Sequence, residues 1–426
     1  MLNCVLRIKV KSIVWLEIYL VSVYGFLRDF LRLPGTFSYL FDVMTFGVFL
    51  YSLLQKKPIS SRMHKTTVVM VAILFIFSLA GFVLSGESIA LFLWGFRNLF
   101  RFYFFFWNCV VYFSQSDVSK IGKYIIGMFY LNVITATFEL LMGYTGDYIG
   151  GTFGTAKGGN AYLNIFIILG LSVAVIEYFQ KKRSFLKMVL TIGLCVYLMA
   201  IAELKVVVVE LPIIVLMAMH MEKFTIRKII MTILVCIGVL GGIMLMGYFF
   251  ENSGMQFFVK GSLEKYLGDD GYTGVGDLGR LNAISQITVR FFDGNIKKIL
   301  LGMGLGSCSY SGYDSLTSKF YNKFSWTHYQ WFSDAMVYLE MGSIGLMIYE
   351  IFYMLCFAWG KKVTKKTERG SYENIICKTV VIFSVCCMIL TVYNNSMMME
   401  SGYIAYLILA VPVILEKYKR SSCGVK

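Results

Sequence analysis

Seven short clusters of lysine and arginine punctuate this chain, and each consecutive pair is separated by enough apolar sequence to cross a bilayer and return. The clusters are Arg7/Lys9/Lys11, Lys56/Lys57/Arg62/Lys65, Lys120/Lys123, Lys181/Lys182/Arg183/Lys187, Lys223/Arg227/Lys228, Lys361 through Arg369, and Lys417/Lys419/Arg420. If all seven obey the positive-inside rule, each of the six intervals holds a hairpin of two helices, which predicts twelve spans with both termini cytoplasmic. At about 20 residues per span, they fall at 12–30, 36–55, 66–85, 89–113, 121–143, 160–179, 186–202, 204–221, 229–250, 329–358, 374–393 and 397–416. The seventh and eighth are short enough to read equally as a re-entrant hairpin. The opening "MLNCVLRIKVKSIVWLEIYLV" has a charged start and an apolar run but lacks a small-residue cleavage site, so it is expected to be a retained first helix.

Composition agrees, with 58% of residues hydrophobic and 15% charged, where a soluble domain carries about a quarter charged. The expected fold class is therefore all-α and polytopic, with the lipid bilayer as solvent. Residues 1–250 carry helices one to nine, 251–328 form one long external loop, and 329–426 carry helices ten to twelve and a cytoplasmic tail. The net charge of +15 does not call for a nucleic-acid partner, because most of the 40 lysines and arginines lie in the topology clusters. Ten cysteines are scattered through apolar spans, which implies neither a disulfide framework nor a metal site. No internal repeat of the inverted type is visible, which weakens a carrier reading.

The loop at 251–328 carries eight basic and seven acidic residues. Within it, "LLGMGLGS" (300–307) has the glycine density of a phosphate-cradling loop. It lacks the Lys-Ser/Thr ending and the strand-to-helix context, and it is expected outside the cell, away from nucleotides. A tight turn is the better reading. Upstream, Arg280 precedes Ala283, Ile284, Ile287 and Phe291 at helical spacing, with Arg290 near the far end. That pattern predicts an amphipathic helix lying on the membrane surface and offering Arg280 to a phosphate.

Charge inside the spans is expensive, so its positions are informative. Arg97 and Arg101 share one face of the fourth span. They are expected either to pair with acids such as Glu139, Glu203 or Glu340, or to line an outward-open anion site together with Lys205. His328, in "THYQW", is the one histidine on the outer side. It reads as a member of an aromatic belt with Trp326, Tyr329 and Trp331, or as a general base at the mouth of a cavity.

"GR" at Gly279–Arg280, "LLGMGLGS", the histidine of "THYQW", "YLEMGSIGL" (338–346), "GGTFGTAKGGNAYLNI" (150–165) and "AELK" (202–205), on a twelve-helix frame with one long outer loop, together resemble the O-antigen polymerase and ligase superfamily. Within it, the chain is most similar to the Wzy-type repeat-unit polymerases of capsule and O-antigen synthesis. Lys205 stands where such proteins more often carry arginine, and "THYQW" lacks the asparagine that often follows their histidine. The resemblance implies a GT-C-like glycosyltransferase of the cytoplasmic membrane that uses no metal and no cofactor. Its substrate would be a polyprenyl-diphosphate-linked oligosaccharide, polymerised at the outer face, with a flippase and a chain-length regulator as partners. His328, Arg280 and, as a second candidate base, Glu340 would be catalytic, and Arg97, Arg101, Lys205 and Arg290 would bind the diphosphate. A ligase of the same superfamily and a flippase for lipid-linked oligosaccharide are the alternative expectations.

Overall fold

In lipid a backbone must satisfy its own hydrogen bonds, and a chain of apolar runs joined by short turns does so as helix. The computed structural model describes residues 2–56, 61–223, 225–249 and 276–423, of which no part forms a strand. Lys57 of the second basic cluster and residues 251–275 of the expected loop lie outside the described residues. The first nine helices are α1 (Leu2–Phe30), α2 (Tyr39–Leu54), α3 (Arg62–Ser85), α4 (Ile89–Tyr112), α5 (Gln115–Leu141), α6 (Asn160–Phe179), α7 (Phe185–Ile201), α8 (Val207–His220) and α9 (Ile226–Phe249). Three short helices follow, α10 (Ala283–Arg290), α11 (Ile296–Leu301) and α12 (Lys319–Phe324). The chain then forms α13 (Ser333–Thr364), α14 (Tyr372–Tyr393), α15 (Ser401–Leu409) and α16 (Val411–Cys423). Serine side chains start several of them: Ser61, Ser88, Ser184 and Ser371 each accept a first-turn N–H, of His64, Leu91, Lys187 and Asn374.

Among the described residues nine helices are long and apolar enough to cross a membrane, which makes this an all-α, multi-pass membrane protein. The apolar α7 and α8 are shorter, as the sequence suggested, and stand as two helices joined by a turn at 202–206. The expected span 397–416 is broken at Ala410, where Pro412 lacks an N–H and crowds the carbonyl four residues back. The expected span 329–358 begins later, at Ser333, and is interrupted at Gly342 (φ 64°, ψ −166°).

The helices α6 and α14 are enclosed by the others, whereas α2, α3 and α9 turn most of their surface outward. Their outward residues are apolar, with Leu54, Val83, Ile237 and Met244 among the most exposed, and lipid is the solvent that suits them. Several basic clusters meet at one end of the bundle. There Lys11 pairs with Asp117 at 2.7 Å, Arg369 with Glu222 at 3.0 Å, and Lys378 closes on the same Glu222. Gln180 ties this basic end together by bonding Glu222 at 2.8 Å and Asn374 at 2.9 Å. The opposite end, here the loop end, carries the described part of 276–332 and is where the chain departs from helix.

Candidate functional site

Three irregular segments sink into the bundle at the loop end: 149–154, 302–308 and 394–398. Non-helical backbone at such depth is tolerated only when protein or a water-filled cavity surrounds it, and here each segment is buried and bonded. Gly151 N–H donates to Glu139 Oε2 at 2.7 Å, and Thr152 N–H to Asn132 Oδ1 at 3.0 Å. Glu139 is thereby committed to the 149–154 segment and does not pair with the arginines of α4.

The glycines of 302–306 allow the second segment to wedge between the α3–α4 hairpin and α13. Gly302, Gly304 and Gly306 have φ of 73°, 95° and 86°, and a Cβ on Gly306 would lie 1.9 Å from Leu91 O. The N–H groups of Met303 and Gly304 donate to the carbonyls of Leu339 (2.8 Å) and Glu340 (3.0 Å), beside the break at Gly342. Groups that a phosphate loop would present to ligand are thus turned onto a helix. Glu340 completes the junction by accepting Ser309 Oγ at 2.9 Å and Cys308 N–H at 3.2 Å, and only 6% of it is exposed. At rest Glu340 thereby clamps the glycine loop.

The two arginines of α4 converge on an acid the sequence reading did not name. Arg97 donates from Nε and Nη2 to Asp42 Oδ2 at 2.8 and 2.6 Å, and Arg101 Nη1 lies 3.8 Å from Asp42 Oδ1. Arg101, 4% exposed, also donates from Nη2 to Met398 O at 3.1 Å, which pins the third buried segment. Glu400 also acts on Arg101, so these guanidiniums face carboxylates at rest. Of the other acids expected to partner them, Glu203 pairs with Lys205 at 2.9 Å in the α7–α8 turn.

The amphipathic helix predicted after Arg280 exists as α10, but it turns its apolar face onto protein. Ala283 and Ile287 are buried in a small core with Leu278, Phe332, Tyr338 and Leu339, and Thr288 Oγ1 bonds Tyr338 Oη at 2.7 Å. Docking leaves Arg280 seated on the ring of Tyr393, 4.2 Å from its centroid. Arg290 is exposed, bonds Gln286 at 3.2 Å and lies over Trp326 at 5.7 Å. The belt reading is corrected at Tyr329, which is fully buried and donates its hydroxyl to Cys308 O at 2.6 Å.

His328 stands beside this group in the left-handed region (φ 56°), its ring stacked on Trp331 at 3.9 Å. Leu278 N–H donates to Thr327 O at 2.9 Å, which stitches the segment before α10 to the histidine turn. The same stitch brings the fully buried Asp277 to 3.7 Å from His328 Nδ1. Burial holds the imidazole below the ordinary histidine range, the Asp277 carboxylate pulls it back up, and Lys157 pushes it down.

These contacts close a ring around the 393–400 connection. Arg280 meets Tyr393, Asn395 donates to Gln330 O at 2.9 Å, and Arg101 holds Met398. Glu400 acts electrostatically on Arg28 and Arg101, Asp29 accepts from Arg28 and from Thr155 N–H at 2.6 Å, and Lys157 acts electrostatically on His328. The sequence reading brought Arg280, His328, Arg97 and Arg101 to one end of the bundle, and missed Asp42, Asp277 and Lys157. An acid inside the second span is a signal that points to Asp42; Asp277 and Lys157 are ordinary loop charges until the chain is folded. Compared with known proteins, the chain matches no protein-family model, and no curated protein matches it.

Proposed function

We propose that this protein polymerises polyprenyl-diphosphate-linked oligosaccharide repeat units at the outer face of the cytoplasmic membrane, by glycosyl transfer from lipid diphosphate to a sugar hydroxyl. The observation that carries the reading is the approach of the segments bearing a guanidinium and an imidazole, Arg280 and His328, to the connection at 393–400, the two segments being stitched at Leu278 and Thr327. On this reading Arg280 meets the diphosphate as it accumulates negative charge on leaving, while Lys157 and Arg290 widen the positive field at the mouth. The base is His328, whose charged form is disfavoured by burial. Arg97, Arg101 and Asp42 hold the floor, and the lipid tail remains in the bilayer alongside the bundle.

The full chain, purified into nanodiscs and given lipid-linked repeat units extracted from the cells that make it, is expected to build a polymer ladder unaided. Arg280→Glu should lower the initial rate by at least two orders of magnitude, as removal of a transition-state donor does. His328→Ala should lower it about 10²- to 10⁴-fold. Ladders of normal length and rate from both variants would sink the assignment, and failure of the wild-type protein to lengthen any glycan would favour a lipid-oligosaccharide carrier instead.

A further inference from the structure

The reading of His328 as base leaves open what orients its ring, and resting on that reading we infer that Asp277 is its positioning residue, turning Nδ1 inward and offering Nε2 to the acceptor hydroxyl. Two contacts define an imidazole's pose. Stacking on Trp331 at 3.9 Å and 19° sets the plane of the ring, and the carboxylate facing one edge decides which nitrogen looks outward. Nδ1 is buried, 3.7 Å from Asp277 Oδ2, while the side chain as a whole is 30% exposed, so the accessible edge is the Nε2 edge. Asp277 is itself fully buried and held in place by the Leu278–Thr327 hydrogen bond one residue away on each segment. A carboxylate removed from water is costly unless cationic or donor groups face it, and an N–H on Nδ1 is such a donor. The separation exceeds a formed hydrogen bond, and catalytic hydrogen bonds commonly tighten only when substrate is bound.

With the proton of the neutral ring on Nδ1, the Nε2 lone pair is free to take the acceptor's proton. The hydroxyl oxygen bonds to the anomeric carbon of the donor sugar, and the carbon–oxygen bond to the diphosphate breaks, its electron pair leaving on polyprenyl diphosphate. The hydroxyl proton passes to Nε2 and then to water. The imidazolium that forms in between sits against the Asp277 carboxylate. Asp277, from the segment before α10, and Lys157, from the α5–α6 connection, act on the ring with opposite sign.

That opposition supplies the test. Activity requires neutral His328, so it falls as pH drops through the imidazole's titration. Asp277→Asn removes negative charge and should move the acid limb of the rate profile to lower pH, with a plateau kcat reduced about 10- to 100-fold and KM little changed. Lys157→Gln removes positive charge and should move the limb to higher pH, and Asp277→Glu should recover most of the rate. The chain has three histidines, so histidine-labelled protein in nanodiscs gives three imidazole signals, and His328→Gln identifies the one in question by its loss. In wild-type protein its nitrogen shifts should report the Nδ1–H tautomer, a readout independent of activity. An Nε2–H tautomer, or an Asp277→Asn protein with unchanged titration and plateau rate while His328→Ala is inactive, overturns the role of Asp277 and leaves the base in place. Normal polymerisation by His328→Ala overturns the base, and this inference with it.

Discussion

Asp42 holds two guanidiniums, and its removal would leave both without the carboxylate that now faces them. Stripping one partner from a buried ion pair costs about 3–5 kcal/mol, because the remaining charge stays out of water. Asp42→Ala should therefore lower the thermal unfolding temperature in detergent, and adding Arg97→Ala should recover part of the loss by removing one of the stranded charges. A double variant no more stable than Asp42→Ala alone would show that Arg97 does not depend on this acid. Spacing made Arg97 and Arg101 legible as one face of a helix, since i and i+4 lie together in any α-helix. Their partner was not legible, because Asp42 is 55 residues away in sequence and reaches Arg97 only through the packing of α2 on α4. Glu139, Glu203 and Glu340 were equally plausible acids on the page, and the fold commits each elsewhere, to Gly151, Lys205 and Ser309.

At the scale of elements, the glycine loop, α10 and the broken α13 form one joint. Gly342 opens the helix and the Leu300 backbone fills the gap, so close that a Cβ on Gly342 would lie 2.4 Å from Leu300 C. Gly306→Val should fail in two ways, by a strained left-handed backbone and by a clash with Leu91 O at 1.9 Å for the first carbon alone. Together these cost more than about 2 kcal/mol. The expected outcome is a lower unfolding temperature and faster proteolytic cleavage within 302–328. Gly312→Ala, which meets open space, is the control and should behave as wild type. That "LLGMGLGS" is a turn was readable from its missing phosphate-loop partners. Its insertion between the α3–α4 hairpin and α13 was not, because glycine patterns report backbone freedom and not the surface that comes close. The amphipathic period of α10 likewise predicted an apolar face without saying whether membrane or protein would cover it, and Phe332, Tyr338 and Leu339 cover it.

At the scale of the whole molecule, the proposed orientation makes a prediction that needs no activity. In a background lacking native cysteines, Tyr313→Cys at the exposed loop end should react with a membrane-impermeant maleimide in intact cells. Lys365→Cys at the basic end should react only after permeabilisation. The reverse pattern would invert the bundle and remove the outer-face reaction with it.

Sequence alone determined that this chain lives in lipid and roughly where most of its apolar runs begin; among the described residues nine helices, not the expected twelve, are long and apolar enough to cross. Those properties follow from local hydropathy and charge, which the bilayer reads one segment at a time. Only the tertiary structure decided which acid answers which arginine, which histidine edge faces outward, and where the backbone gives up helix inside the bundle. These are contacts between residues far apart in sequence, created when helices pack, and no pattern within one span encodes them.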